Sequence, residues 1–343
     1  MSEKRLSLMD IAKSLNLSKT LVSMVVNNQG DEKGIAKKTQ LLVWEKVKEL
    51  NYKPNLMARG LRLGRSNTIG LIVSDISNPF YAKIARHIEK LIEPLGYNII
   101  ICSTDENHEK ESRLKNLLKD RMVDGLIIST SQKDCKEFIE LLDTKFPFVL
   151  IDRVMADIKP NSVYVDNFKG AFDAVTHLMN QGYVNIAAFA VSPIYVSTIK
   201  DRIEGYLQAL RLNGLDHDKK FLKEIPFNDV KNSVKKELTQ LLQEHDRIDA
   251  LFAVNNNIAI ACLDCLNEMR VKIPDDLAFV CFDDLEVFKF SQPSITAVAQ
   301  PMEEIAKNAV DILMNVINSK ESEPTTKQVV LQTTLNIRRS TVK

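Results

Sequence analysis

The sequence predicts an α/β protein: an all-α helix-turn-helix headpiece at the N-terminus and a two-lobed body with doubly wound parallel sheets. Three observations support this fold class. Closely spaced amphipathic helices fill the first 66 residues, and short apolar runs alternate with helix-length segments from Thr68 onward. This alternation continues for roughly 270 residues, which is too long for one open sheet and therefore indicates two lobes.

The first two helices are marked by their caps. Ser7 precedes an apolar stripe, and Asp10 stands three residues later, as in a capping box. Asn16 lies where the chain must turn, because asparagine tolerates the left-handed conformation, and Ser18 caps a second helix. The inward-facing positions of the two helices are Leu8, Ile11, Ala12, Leu15, Val22, Val25 and Val26. Two helices of about eight residues joined by a tight turn form a helix-turn-helix.

The second helix of such a unit enters the major groove of DNA, with its first turn nearest to the bases. Because the valines point inward, the side chains expected to contact DNA are Lys19, Thr20, Ser23 and Met24. Residues 1–66 also hold thirteen basic residues against six acidic ones, a net charge of +7. The total is +1, so the remainder carries −6 (+1 − 7). A basic head on an acidic body is typical of attachment to nucleic acid by one end.

A third helix is predicted from about Lys37 to Leu50. Its buried positions are Leu42, Val43, Val47 and Leu50, and Trp44 is expected to pack on the same small core. Pro54 ends this segment, since proline disfavours helix in the residue before it. Asn55 can cap one more short helix, residues 56–63, which carries Arg59 and Arg62. An exposed linker helix is an equally open interpretation of that segment.

The body contains apolar runs that predict strands at residues 69–73, 98–102, 125–129, 148–151, 163–165, 186–189, 250–254 and 277–282. Ligands of such sheets bind beyond the carboxyl ends of the strands. The residues there are unusually polar: 75–81, 103–105, 152–153, 166–167, 255–257 and 283–284. Carboxylates, amides and an arginine beside one aromatic wall suit a polyhydroxylated ligand, because each hydroxyl both donates and accepts hydrogen bonds.

Composition restricts the cellular setting. Five unevenly spaced cysteines do not form a disulfide framework and fit a reducing compartment. The N-terminal ten residues lack the apolar run of a secretory signal, and no stretch approaches the roughly 18 apolar residues of a membrane span. We therefore expect a cytoplasmic protein without a membrane partner.

Motifs for cofactors, metals and nucleophilic catalysis are missing from the sequence. It has no phosphate-binding glycine loop, no paired-histidine zinc motif and no Gly-x-Ser-x-Gly elbow. Cys262 and Cys265 form a single Cys-x-x-Cys in an apolar helical stretch, whereas a structural zinc site needs four ligands. These two cysteines are therefore predicted to be buried packing residues.

Clustered carboxylates could also be the acid/base pair of a glycosidase. However, no pair stands apart from the other polar positions. A binding protein without a cofactor, metal or catalytic residue is the favoured interpretation. A sugar-processing enzyme fused to a DNA-binding head is the alternative.

From about residue 8 to residue 340, the chain resembles the lactose-repressor/galactose-repressor (LacI/GalR) family of bacterial transcription regulators. The matching stretches are short, but they follow one another in order. In the headpiece and linker they are Asp10-Ile-Ala, Leu17-Ser18, Val22-Ser23, Asn27, Asn51-Tyr-Lys-Pro-Asn55, Ala58-Arg59 and Ser66-Asn-Thr-Ile-Gly70. In the body they are Asn78-Pro-Phe-Tyr81, Val123-Asp-Gly125, Val165-Asp-Asn167, Arg202, Gly205-Tyr206, Phe282-Asp-Asp284, Gln300-Pro301 and Arg338.

The resemblance implies a headpiece at 1–54, a hinge helix and linker at 55–67, and an effector-binding and dimerisation domain at 68–343. This domain would be like a periplasmic sugar-binding protein. Its first lobe would span about 68–165 and 293–325, and its second about 166–292 plus the C-terminal strand. The chain would thus cross between the lobes near residues 165, 293 and 325. A homodimer, a near-palindromic operator in double-stranded DNA and a small effector, a sugar or sugar derivative, are also implied.

The resemblance also implies individual contacts. The matching DNA-binding positions are Ser18, Asn27, Tyr52, Asn55, Ala58, Arg59, Leu61 and Arg62. Among these, Leu61 would wedge into the minor groove. The matching effector-binding positions are Phe80 and Tyr81 as an aromatic wall, with Asp152, Arg153, Thr198, Arg202, Asn256 and Asp283 as polar contacts.

The sequence departs from the family pattern at three positions. Met24 stands where many members have an arginine, which predicts an atypical operator base pair. Asn256 stands where aspartate is common, and Val196 stands where the purine-responsive member has an arginine, which argues against a purine effector. Within the family, the alternative is control by a phosphocarrier protein partner.

Overall fold

The computed structural model describes residues 6–52, 65–155, 157–215, 220–243, 248–319 and 326–342. The chain forms two compact units, Met1–Ser66 and Asn67–Lys343. Each unit has its own hydrophobic core. Among the described residues, no helix combines the length and the apolar character that crossing a membrane requires.

The headpiece contains helices α1 (Leu8–Ser14), α2 (Lys19–Val26) and α3 (Lys37–Glu49). The predicted caps are present: the Ser7 backbone nitrogen donates to Asp10 Oδ2 at 2.8 Å, and Ser18 Oγ accepts from the Leu21 backbone nitrogen at 3.1 Å. Asn16 makes the turn between α1 and α2 with a φ of 54°. These local signals therefore determine the geometry of the helix-turn-helix.

The three helices pack around a small core of Ile11, Val22, Val25 and Val43, all at most 1% exposed. Trp44 packs against the edge of this core, as the sequence predicted. The prediction for Leu42 was wrong, because its side chain is 45% exposed. Val43 and Val47 already occupy the inner face of α3, so Leu42 falls on the outer face of the helix.

The body contains two six-stranded sheets. The first has the order β11-β5-β4-β3-β1-β2 and the second the order β12-β10-β9-β8-β6-β7. All neighbouring strands are parallel except β10 and β12, which are antiparallel. The strands are β1 (Thr68–Val73), β2 (Asn98–Ser103), β3 (Gly125–Ile128), β4 (Phe148–Ile151), β5 (Ser162–Val165), β6 (Ile186–Val191), β7 (Leu222–Ile225), β8 (Ala250–Ala253), β9 (Ala278–Phe282), β10 (Thr296–Ala299), β11 (Gln328–Leu331) and β12 (Thr334–Asn336).

Helices cover both faces of each sheet, so the inner strands are apolar throughout: β3, β4, β6, β8 and β9 are buried at every residue. The helices of the body are α4 (Pro79–Ile92), α5 (His108–Asp120), α6 (Lys136–Asp143), α7 (Asn167–Asn180), α8 (Ser197–Leu212), α9 (Val230–Gln243), α10 (Asn256–Glu268), α11 (Val287–Phe290) and α12 (Met302–Asn318).

The chain crosses between the lobes three times. The first crossing follows β5, the last strand of the first lobe before the chain enters the second. The second follows β10 rather than residue 293, because β10 lies in the second sheet while α12 packs in the first-lobe core. The third follows β11 rather than residue 325, because β11 joins the first sheet and β12 the second. Those two predicted boundaries were therefore placed too early.

Candidate functional site

The exposed face of α2 carries the predicted DNA contacts. Lys19 and Thr20 are exposed in its first turn, and Met24 is partly exposed one turn later. Ser23 is only 8% exposed, and Asn27 Nδ2 donates to the Ser23 carbonyl oxygen at 2.6 Å. Ser23 therefore lies at the edge of the inner face of the helix, and its contact with DNA remains a prediction.

The other predicted DNA contacts divide into two groups. Ser18 is exposed at the cap of α2, and Tyr52 is partly buried against the headpiece core, where burial raises the pKa of its phenol. Asn55, Ala58, Arg59, Leu61 and Arg62 lie outside the described residues.

A cavity of about 40 Å³ lies between the two lobes of the body. The loops after β1 and β4 line it from the first lobe, and the loops after β8 and β9 line it with α8 from the second. This position, beyond the carboxyl ends of the strands, is where parallel sheets bind ligands. Seven of the eight predicted effector contacts line the cavity: Phe80, Tyr81, Asp152, Arg153, Thr198, Arg202 and Asp283.

The first-lobe wall is built around Asp152. Its Oδ2 accepts hydrogen bonds from Tyr81 Oη at 2.9 Å and from Ser129 Oγ at 3.2 Å. Phe80 meets Tyr81 edge to face, with ring centroids 5.0 Å apart. Asp152 has a φ of 64°, a left-handed conformation that costs a non-glycine residue about 1–3 kcal/mol. Burial raises the pKa of its carboxyl, and the neighbouring Arg153 opposes this shift.

Arg153 forms a buried ion pair that sequence reasoning missed. Its Nη1 and Nη2 atoms donate to the two carboxylate oxygens of Glu106 at 2.7 and 2.5 Å, and Nη1 also donates to the Thr130 carbonyl oxygen at 3.1 Å. A second buried carboxylate, Glu111, accepts from Thr130 Oγ1 at 2.7 Å and from the Ser131 backbone nitrogen. Burial raises the pKa of Glu111 to about 7, although these two hydrogen bonds oppose the shift.

The second-lobe wall is built around Arg202, which is 3% exposed. Its Nε donates to Asn167 Oδ1 at 2.8 Å, and its Nη1 donates to the Val254 carbonyl oxygen at 2.9 Å. The guanidinium carbon lies 3.6 Å from the centroid of the Phe282 ring, and Nη1 lies 3.8 Å from Asp283 Oδ2. Hydrogen bonds and stacking therefore fix the plane of this guanidinium group.

Asp283 is held in place by Gln300, the residue that directly follows β10. Gln300 Nε2 donates to its Oδ1 at 2.6 Å, and the backbone of Asp283 has a φ of 76°. Behind it, Arg338 forms a two-pronged ion pair with Asp284, with distances of 2.8 and 2.6 Å. This pairing anchors the loop that presents Asp283 to the cavity.

Asn256 connects the two lobes. Its Nδ2 donates to Asn78 Oδ1 at 2.6 Å, and Asn78 Nδ2 donates in return to Asn256 Oδ1 at 3.2 Å. The side chain is fully buried and does not line the cavity. In this arrangement the amide of Asn256 binds Asn78 of the opposite lobe, and its contact with an effector remains a prediction.

Two polar atoms in the cavity wall have no hydrogen-bond partner although they are buried. They are Arg153 Nε, a donor, and Gln300 Oε1, an acceptor. An unsatisfied buried polar atom costs about 1–3 kcal/mol, so each is a candidate for a ligand contact. Sequence reasoning missed Asn78, Glu106 and Gln300 as individual side chains, although Asn78 and Gln300 stand in the motifs Asn-Pro-Phe-Tyr and Gln-Pro.

Within the described ranges, no group of three or more histidine, cysteine or acidic side chains is arranged to hold a metal ion. Cys262 and Cys265 are buried in α10, so their interpretation as packing residues is confirmed. The cavity wall thus offers hydrogen-bond donors, acceptors and an aromatic surface, which is the chemistry of a binding site.

Comparison with known proteins supports this view. Residues 175–341 match the family model of the periplasmic binding protein-like domain. The HTH-type transcriptional regulator DegA of Bacillus subtilis (strain 168) is 33% identical over 299 residues, which are 86% of this chain and 87% of DegA. The ribose operon repressor of Halalkalibacterium halodurans is 33% identical over 331 residues, 95% and 96% of the two chains.

A crystal structure of a LacI family transcriptional regulator from Enterococcus faecium with bound ribose is 28% identical, with a TM-score of 0.69. The match covers 80% of this chain and 98% of that one. These relatives are transcriptional regulators and not enzymes, and they match along both the headpiece and the body. The chain therefore belongs to the LacI family: it is a DNA-binding transcriptional regulator whose affinity for DNA is controlled by a small effector.

Proposed function

We propose that this protein is a homodimeric repressor that acts on operator DNA in the cytoplasm and binds a monosaccharide of pentose size between the lobes of its body. The observation that supports the effector class most directly is the pair of buried, unpartnered atoms in one cavity wall, Arg153 Nε and Gln300 Oε1. One donates and the other accepts, and a sugar hydroxyl can do both.

The surrounding side chains fit the same class. Asp152 and Asp283 offer carboxylate oxygens to hydroxyl groups, and Phe80 offers an apolar ring to the carbon–hydrogen face of a sugar. The relatives give the size: one regulates a ribose operon by its name, and another was solved with bound ribose. A pentose therefore satisfies both the polar wall and the family comparison.

Control of DNA binding follows from where the effector would sit. A ligand that contacts both walls favours the closed arrangement of the lobes, in which Asn78 and Asn256 are hydrogen-bonded. It can shift DNA affinity only by its differential affinity for the two arrangements, typically about 1–3 kcal/mol of coupling.

Gln300→Leu tests the effector site. The substitution removes the free acceptor and the support of Asp283, so we expect pentose affinity to fall by about 10- to 100-fold. In a thermal-shift screen, a pentose at a hundred times its dissociation constant should raise the free energy of unfolding of the wild-type protein by about 2.7 kcal/mol. The control Gln243→Leu alters an exposed side chain on α9 and should keep the full shift. Equal shifts in both variants would contradict this site, and a response to a phosphocarrier protein alone would favour the alternative form of control.

The dimer proposal is supported by exposed apolar side chains around the edge strand β2. Leu95 and Ile101 are 55% and 40% exposed in the segment that leads into and forms this strand, and Leu117 and Met122 of the same lobe are 44% and 43% exposed. A second copy of the chain is the occupant we infer, since a near-palindromic operator needs two identical heads.

Ile101→Asp tests the dimer. A charge buried without a partner costs several kcal/mol, so we expect the dimer dissociation constant to rise at least about tenfold. Sedimentation equilibrium measures this change, with Ile139→Asp as the control, an exposed isoleucine on α6. Monomeric wild-type protein, or an unchanged dimer in Ile101→Asp, would contradict the proposed interface.

A further inference from the structure

The charges that line the effector cavity are unbalanced. Among the described residues of its wall, the cations are Arg153 and Arg202, whereas the carboxylates are Glu106, Asp152 and Asp283. All five side chains are at least nine-tenths buried. Lys83 and Asp284 line a small adjoining pocket that shares Phe80, Asp283 and Gln300 with the cavity, and together they add one charge of each sign. Carboxylates therefore outnumber guanidinium groups by three to two where the effector would bind.

Arg153 is the group that could hold an anion, but Glu106 occupies it. The parallel donors of a guanidinium fit a phosphate or a carboxylate. Here both terminal nitrogens of Arg153 bind the two oxygens of Glu106, at 2.7 and 2.5 Å. What Arg153 has left for a ligand is its Nε–H, which has no hydrogen-bond partner and lies 3.7 Å from Asp152 Oδ2, and the second N–H of Nη2. These donors can bind a neutral hydroxyl, whereas an anion gains little from Arg153 because Glu106 already compensates its positive charge.

Arg202 is also partly engaged. Its Nε and Nη1 donate to Asn167 and to the Val254 carbonyl oxygen, and Asp283 lies 3.8 Å from Nη1. A phosphate entering the cavity would therefore meet three carboxylates at short range with both cations already compensated. In a buried site such like-charge contacts are only weakly screened.

We propose that the effector cavity is a charge filter in which Glu106 neutralises Arg153, so that the site admits uncharged sugars and rejects phosphorylated or acidic ones. The inference rests on the proposed function and adds the charge class of the effector. Glu106 is a specificity-determining residue in this proposal, because it decides what Arg153 can bind.

Isothermal titration calorimetry of the full chain tests the filter with two pairs of ligands: D-ribose and D-ribose 5-phosphate, and D-xylulose and D-xylulose 5-phosphate. We expect the free sugar of the bound pair to bind at least about 100-fold more tightly than its phosphate. Equal or tighter binding of the phosphate would overturn the filter and leave the monosaccharide proposal intact. Binding of none of the four would overturn the proposed function, and the filter with it.

Glu106→Gln separates charge from size. The amide cannot neutralise Arg153, so the ratio of phosphate affinity to free-sugar affinity should rise at least about tenfold over wild type. Both proteins are tested with the same ligands, and glutamine has nearly the size of glutamate. A change in this ratio therefore reports the charge at position 106. Glu109→Gln, which removes an exposed carboxylate on the neighbouring helix α5, should leave the ratio unchanged. An unchanged ratio in a folded Glu106→Gln protein would overturn the role of Glu106, and the wild-type comparison decides the filter if this variant does not fold.

Discussion

Replacing Arg202 with alanine is expected to abolish the effector response and to lower the free energy of unfolding by about 3–5 kcal/mol. The side chain is 3% exposed and holds Asn167, the Val254 carbonyl oxygen and the Phe282 ring together. Its removal leaves buried acceptors unsatisfied and Asp283 without its nearest cation. Arg202 therefore stabilises the second lobe as well as the cavity wall.

Two measurements separate these roles. Urea unfolding gives the loss of stability, and DNA binding of the folded variant with and without pentose gives the loss of response. Arg211→Ala is the matched control, because Arg211 lies on the same helix, is exposed, and donates to Gln208 Oε1 at 3.1 Å on the helix surface. A folded Arg202→Ala protein that still responds to pentose would move the effector site away from this cavity.

Affinity for operator DNA is expected to fall about 10³-fold or more between 50 and 200 mM salt. The headpiece carries a net charge of +7 within 66 residues, and a dimer would present two such heads. Each phosphate contact releases a counterion, so the loss accumulates with the number of contacts. Fluorescence anisotropy with an operator obtained by selection from random DNA measures how DNA affinity changes with salt concentration.

The control for the salt prediction is the effector itself. Binding of an uncharged pentose to the same protein should change less than about twofold over that range, since no counterion is released from it. A flat response of DNA affinity would contradict attachment through the basic headpiece. A steep response of pentose affinity would show instead that salt perturbs the body of the protein.

The headpiece helices and the central strands of the body could be predicted from the sequence because the signals for them are local. The cap at Ser7, the turn at Asn16 and the buried apolar strands each need only a few neighbouring residues. The missed strands carry no such signal. β7 reads Leu-Lys-Glu-Ile at the edge of its sheet, and β10 reads Thr-Ala-Val-Ala with one large apolar side chain. Among the described strands, β7 pairs only with the preceding strand β6, and β10 pairs with the preceding strand β9 and with β12, so only the assembled second sheet identifies them as strands. Because β10 was missed, the second crossing was placed before it.

In the cavity, too, the positions of residues could be predicted but their contacts could not. Residues directly after strands, such as Asp152 and Asp283, could be placed in the cleft because strand ends meet there. The hydrogen-bond partner of each side chain, however, could not be predicted from the sequence. Asn256 bonds with a residue 178 positions away, and Arg153 with one 47 positions away. The resemblance implied effector contacts at both positions, but neither it nor sequence periodicity carries distances between loops, so the residues that already hold these side chains were not predicted.

The order of the strands has a consequence for biosynthesis. β11 and β12 come after all other described strands in the chain, yet one is the edge of the first sheet and the other the edge of the second. The headpiece has a core of its own and emerges from the ribosome before the body. A nascent chain can therefore carry a folded headpiece while both lobes still lack a strand, so that the ability to sense an effector is acquired only after β11 and β12 have been synthesised.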